Sequence, residues 1–200
     1  MANDIYETDL FDRALKFASE AHHGTGRRGK GFPYIIHCME AAEICATITN
    51  DQEILAAALL HDVIEDTEKT EEDIKNEFGE RVARLVVGES EPDNVFDSSS
   101  KERSSWADRK KYVIARLKKQ PLENKIVALG DKLSNMRAIA RDFNRDGDKI
   151  WSLFHAPDPH MHEWHYRGLA DALREMSGTE AYEEFTRLVD DVFGPKKTDQ

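Results

Sequence analysis

Residues 59–67 read LLHDVIEDT. The run from Ile54 to Ile64 is otherwise apolar and alanine-rich, and it predicts a central helix over 54–66. Into that helix the sequence places four ionisable groups: His61, Asp62, Glu65 and Asp66. Charged side chains are almost never buried unless they are paired or bound to metal. His61 and Glu65 are four apart, as are Asp62 and Asp66, so each pair shares a helical face. An adjacent His–Asp pair can reach one cation from neighbouring positions, while the carboxylates one turn on face whatever that cation binds. The stretch reads as a metal centre with acid–base groups beside it.

Two further residues complete a ligand set. His37 stands 24 residues before His61, on the preceding predicted helix, where Ile36 and Ala41 suggest an inward-turned face. Asp131 stands in VALGDKLSNM, an acid in the middle of an apolar helical stripe, and a buried carboxylate there requires a cationic partner. Two imidazoles and two carboxylates form a mixed nitrogen and oxygen set that suits Mn²⁺ or Fe²⁺ and also accepts Zn²⁺. Octahedral ions keep positions open for water and a phosphate oxygen, as metal-assisted hydrolysis requires.

Helical periodicity extends along nearly the whole chain, and the fold expected is all-α, a compact bundle of about 8–10 helices. Leu10, Ala14, Phe17, Ala18 and Ala21 form a first stripe, and the basic, glycine-rich segment 24–31 breaks it. Pro33 opens a second helix, and Thr70 to Asp73 has the form of a capping box. Helices are expected over 80–87, 106–119, 122–143, 160–176 and 179–193, with a short one around 150–154. Residues 88–105 are polar and serine-rich and read as a mobile loop; 144–163 read as a variable segment. Residues 1–194 are expected to be a single domain, with 195–200 a disordered tail.

Composition narrows the function. Charged residues make up 34 % and no apolar run approaches a membrane span, so a soluble globular protein is expected. The acidic start MANDIYETDL lacks the apolar core of a signal peptide, and Cys38 and Cys45 lie two helical turns apart, too far to bridge. A reduced, cytoplasmic protein is expected. A net charge of −11 argues against broad nucleic-acid binding, yet a small phosphorylated substrate needs only local positive charge, such as a metal or Arg27-Arg28-Gly29-Lys30.

His37, His61-Asp62 and Asp131, all on helices, resemble the ligand pattern of the HD phosphohydrolase superfamily. More narrowly, GRRGKGFPYIIH, ALLHDVIEDT and LGDKLSNMRAI resemble the hydrolase domain of RelA/SpoT-type enzymes, including small stand-alone alarmone hydrolases of metazoan type. The resemblance covers about residues 11–144. It implies Mn²⁺-dependent removal of the 3′-pyrophosphate from guanosine tetra- and pentaphosphate, the alarmones of the stringent response. It also implies that His37, His61, Asp62 and Asp131 are the metal ligands, and that Glu65 and Asp66 position and deprotonate the attacking water. Arg27 and Arg28 match a basic pair near guanine and phosphates, a role that suits a flat, forked guanidinium. Asn135 matches a residue touching the nucleotide, and Tyr166 in HYRGLADAL resembles a tyrosine lining the nucleoside pocket.

No nucleotidyl-transferase region accompanies these motifs, so synthesis of the alarmone is not expected of this chain. Thr25 replaces a common Gln, and FHAPDPHMHEW has no clear counterpart, which bears on base specificity more than on chemistry. The histidines in and just after that segment, His155, His160, His162 and His165, lack the spacing of a ligand motif and are expected at the surface. The competing functions are phosphate removal from another nucleotide, whether the 2′-phosphate of NADPH or a 5′-nucleotide, and a catalytically silent nucleotide sensor.

Overall fold

In the computed structural model, residues 9–27, 29–90, 106–154 and 156–195 are described, and their regular secondary structure is helical apart from one isolated antiparallel bridge, Gly26 with Pro33. They divide into two units. The first holds the described residues up to Ser90 together with Ile126–Asp131; the second holds residues 106–125 and the described residues from Lys132 onward.

The first unit begins with α1 (Asp9–Ala21), α2 (Ile35–Ala46) and α3 (Gln52–Leu60). Every residue of α3 from Ile54 to Leu60 is buried. Three consecutive alanines, Ala56, Ala57 and Ala58, keep its waist narrow, so α1 and α2 both pack directly on it. Asp51 caps α3 by accepting from the Glu53 N–H at 3.0 Å. Arg81 then clamps that end, reaching Asp51 Oδ2 at 2.8 Å and Glu53 Oε2 at 2.7 Å.

The helix expected over 54–66 is interrupted. After α3 the chain turns at His61 and Asp62 and resumes as one turn, α4 (Val63–Asp66). Asp62 takes φ −97° and ψ −1°, sparsely populated values that recur at active sites. Neighbouring side chains on a regular helix diverge by about 100°, yet at this turn His61 Nε2 and Asp62 Oδ2 come within 2.9 Å of each other. Next come α5 (Glu71–Phe78), which starts on the Thr70–Asp73 capping box, and α6 (Glu80–Glu89). The segment expected as a loop from 88 thus begins as the end of α6, and 91–105 lie outside the described residues.

In the second unit, α7 (Trp106–Leu117) precedes the long α8 (Leu122–Asp146), whose residues 126–131 count with the first unit. A 3₁₀ helix over Gly147–Leu153 stands where a short helix was expected, and α9 (Pro159–Ala172) and α10 (Glu180–Phe193) follow. Here α9 packs on both α7 and α10. His162 and His165 depart from the surface placement expected of them. The inward face of α9 carries both into an aromatic cluster, with His162 stacked on Trp151 at 5.2 Å and the Trp106 ring 5.6 Å from His165. His160 is exposed, and His155 lies outside the described residues.

One close approach in the first unit sets the position of Asp131. At Gly130 a side-chain carbon would lie 2.6 Å from the Ala41 carbonyl oxygen and 2.7 Å from Cys45 Sγ. The backbones of α2 and α8 meet here because glycine has no Cβ, and the Cys45 thiol donates to the Ile126 carbonyl at 3.3 Å. Gly130→Ala is expected to destabilise the protein by about 1–3 kcal/mol, the usual cost of overpacking. Urea unfolding checks this as a lower midpoint at unchanged slope.

Candidate metal centre

Two helices and a turn bring the sequence-derived ligands together. His37 comes from the first turn of α2, His61 and Asp62 from the α3–α4 turn, and Asp131 from mid-α8. His61 Nε2 lies 2.9 Å from Asp62 Oδ2 and 3.5 Å from Asp131 Oδ1. His37 Nε2 lies 3.6 Å from the same Asp62 oxygen and 3.2 Å from the same Asp131 oxygen. Among the described residues, His37, His61 and Asp62 form a set whose donor atoms all lie within 4.8 Å of one another. Asp131 joins them through the two imidazoles.

The donor set fits a divalent cation. Donors bound at about 2.1 Å stand roughly 3.0–3.4 Å apart at octahedral or tetrahedral angles, close to the spacings found here. The buried His61 Nε2 makes no well-formed hydrogen bond, although Asp62 Oδ2 lies 2.9 Å away. Its other nitrogen, Nδ1, is 2.8 Å from the Ala58 carbonyl. A proton donated there fixes the tautomer that leaves Nε2 free to bind metal.

Electrostatics point the same way. Burial alone would push His61 down, but the charges of Asp62 and Asp131 outweigh it and hold the imidazole well above its ordinary range. Burial would raise Asp62, yet His61 and His37 pull it far below the usual carboxylate range. The proton that Asp62 and Asp131 favour on His61 is one that a metal ion would have to displace. His37, His61 and Asp131 are sealed, whereas the Asp62 side chain keeps 19 % of its surface exposed. The centre therefore opens on the Asp62 side.

Glu65 and Asp66, both exposed, stand on α4 just beyond that opening, with the Asp66 N–H bonded to the Asp62 carbonyl at 2.9 Å. Lost hydration first, and then the negative Asp62, push the Asp66 carboxyl up. Arg27 lies on a tight loop closed by its own N–H to the Phe32 carbonyl at 3.0 Å and by the Tyr34 N–H to the Thr25 carbonyl at 2.9 Å. Gly29 supplies the left-handed conformation the loop needs, at φ +70°. The Arg27 guanidinium rests 5.3 Å from the centre of the Tyr34 ring. Arg28 lies outside the described residues. Asn135, on α8, and Tyr166, on α9, belong to the second unit, where Tyr166 is buried among His165, Phe185 and Phe193.

Cys38, beside His37, is a packed thiol, as its position predicts; burial pushes it up to about 11. Two residues at the centre escaped the sequence reading. Tyr34 donates a 2.6 Å hydrogen bond to Asp62 Oδ2. His22 is buried against Tyr34 with ring centres 4.9 Å apart, and burial pushes its pKa down. His22 was detectable: it continues the four-residue spacing of Ala14 and Ala18, which makes it a histidine on an inward stripe.

Comparison with known proteins places these features in context. The model of the HD domain family matches residues 14–158. A guanosine-3′,5′-bis(diphosphate) 3′-pyrophosphohydrolase of Vibrio cholerae is 42 % identical over 61 % of this chain and 17 % of its own length. The bifunctional (p)ppGpp synthase/hydrolase SpoT of Escherichia coli is 39 % identical over 64 % of this chain and 18 % of its own. The chain thus spans less than a fifth of the length of these curated relatives. Among solved structures, a metazoan orthologue of SpoT described as hydrolysing ppGpp superposes with a TM-score of 0.73 at 22 % identity, covering 92 % of this chain and 96 % of that one. A crystal structure from Listeria monocytogenes covers 80 % of this chain and 99 % of its own, with a TM-score of 0.68 and 28 % identity.

Removing one imidazole dismantles the donor set. The wild-type protein is expected to gain about 2.7 kcal/mol of stability from Mn²⁺ at a hundred times its dissociation constant, and His61→Ala to gain none. Thermal unfolding with and without Mn²⁺ measures the difference.

Proposed function

The chain belongs to the HD-domain family, and we propose that it removes the 3′-pyrophosphate from guanosine tetra- and pentaphosphate. It is an HD-domain phosphohydrolase related to guanosine-bis(diphosphate) hydrolases, and the proposal carries their printed substrate over to this chain. The observation behind it is the donor set itself. Two imidazole nitrogens and two carboxylate oxygens converge at 2.9–3.6 Å, with an acidic pair beyond the open side. In this reading His37, His61, Asp62 and Asp131 hold the ion. Mn²⁺ suits the mixed set, with Fe²⁺ or Zn²⁺ as substitutes. A bound divalent cation supplies Lewis acidity toward a phosphoryl oxygen and lowers the pKa of water.

The remaining chemistry falls to the chain. Asp66 and Glu65 stand one turn beyond the donors, where a carboxylate can orient water and accept its proton. Lost hydration and the nearby Asp62 raise the Asp66 carboxyl, which suits it to accept a proton. Arg27, on the face of Tyr34, offers a guanidinium that forks onto phosphate oxygens or stacks on a base, with Arg28 as its partner. Asn135 and Tyr166 are carried as nucleoside contacts. A chain with net charge −11 accepts a polyanion only where the metal and the arginines invert the local potential.

The test is turnover with Mn²⁺ of guanosine tetraphosphate, NADPH and common 5′-nucleotides. Pyrophosphate released with GDP as co-product is expected. Inorganic phosphate released from the other compounds would replace this reading, and nucleotide binding without turnover would make the protein a sensor. Asp66→Asn is expected to lower kcat about 10²- to 10⁴-fold, the range of a lost general base, with Mn²⁺ affinity kept. Steady-state kinetics and calorimetry together check this.

A further inference from the structure

Tyr34 touches both halves of the site. Its hydroxyl donates to Asp62 Oδ2 at 2.6 Å. That is the oxygen 2.9 Å from His61 Nε2 and 3.6 Å from His37 Nε2, and hence the one that faces a cation. Its ring carries the Arg27 guanidinium at 5.3 Å and meets the edge of the His37 ring at 5.6 Å. The backbone is fixed as well, since the Tyr34 N–H donates to the Thr25 carbonyl at 2.9 Å and closes the loop that holds Arg27. We propose that Tyr34 is a positioning residue that ties the metal ligand Asp62 to the anion-binding Arg27, holding cation and substrate phosphate in one register.

The chemistry of tyrosine suits this task. Asp62 is the least buried of the donors, so its carboxylate is the one free to rotate. A hydrogen bond to Oδ2 occupies one lone-pair direction and leaves the other for the metal. Lysine would fix the carboxylate equally well but would repel the cation. A phenol donates without charge. The ring face is electron-rich and holds a guanidinium by cation–π attraction. His22 packs against the same ring, and among the described residues neither of its nitrogens finds a hydrogen-bond partner. It braces the ring without competing for the hydroxyl.

The Asp62 half of the proposal rests on the donor set alone, whereas the Arg27 half rests on the phosphohydrolase reading. Two substitutions in the full chain separate them. Calorimetry with Mn²⁺ alone reads the first half, and titration of the Mn²⁺-loaded protein with inorganic pyrophosphate reads the second. Tyr34→Phe removes the hydroxyl and keeps the ring. It is expected to weaken Mn²⁺ about tenfold to a hundredfold, as loss of an outer-sphere partner does, and to change pyrophosphate affinity less than about twofold at saturating metal. Tyr34→Leu is expected to weaken Mn²⁺ equally and pyrophosphate as much as Arg27→Ala does, the two changes together adding nothing further. If Tyr34→Leu fails to fold, Tyr34→Met makes the same comparison with a side chain of similar reach. Wild-type Mn²⁺ affinity in Tyr34→Phe would overturn the tie to Asp62. Additive losses in the double variant would overturn the tie to Arg27. Absence of guanosine tetraphosphate turnover would remove the proposed substrate and leave both titrations to decide the role of Tyr34.

Discussion

Burying two carboxylates beside two imidazoles is the constraint around which the first unit is organised. Each group alone would be costly in an apolar interior, and together they are tolerable only if something positive is shared among them. Burial pushes His61 down, and the charges of Asp62 and Asp131 outweigh it and hold this imidazole well above its ordinary range. The cluster is therefore a stability problem and a binding site at once. Whatever cation fills it gains from the same packing that isolates it from water.

That packing depends on small residues as much as on large ones. The alanines of α3 let two helices lie directly on it, and Gly130 lets α8 come close enough to α2 for Asp131 to meet His37. The Arg81 clamp on Asp51 and Glu53 fixes the start of α3, so the turn at its other end is held at a defined distance from α2. The unusual backbone angles of Asp62 are maintained by this surrounding structure rather than by any local preference.

Much of this was legible in the sequence because it is written in periodicity. An acid in an apolar stripe marks Asp131, and a histidine on an inward face marks His37. What periodicity could not reveal was the break at His61–Asp62, since an uninterrupted apolar run gives no signal where a helix turns. Nor could it separate buried from exposed histidines on α9, where composition looks polar and aromatic stacking decides. Tyr34 was visible as a residue but not as a partner of Asp62, because the two are 28 positions apart and meet only through the fold.

The two cysteines of α2 carry a consequence of their own. Both are fully buried, and burial pushes Cys38 up to about 11 and Cys45 up to about 12, so neither offers a reactive thiolate to solvent. A thiol reagent can reach them only during excursions that lift α2 from its neighbours. Because α2 also bears His37, those same excursions would loosen the candidate donor set, so thiol alkylation and the loss of any bound ion would report one local opening event.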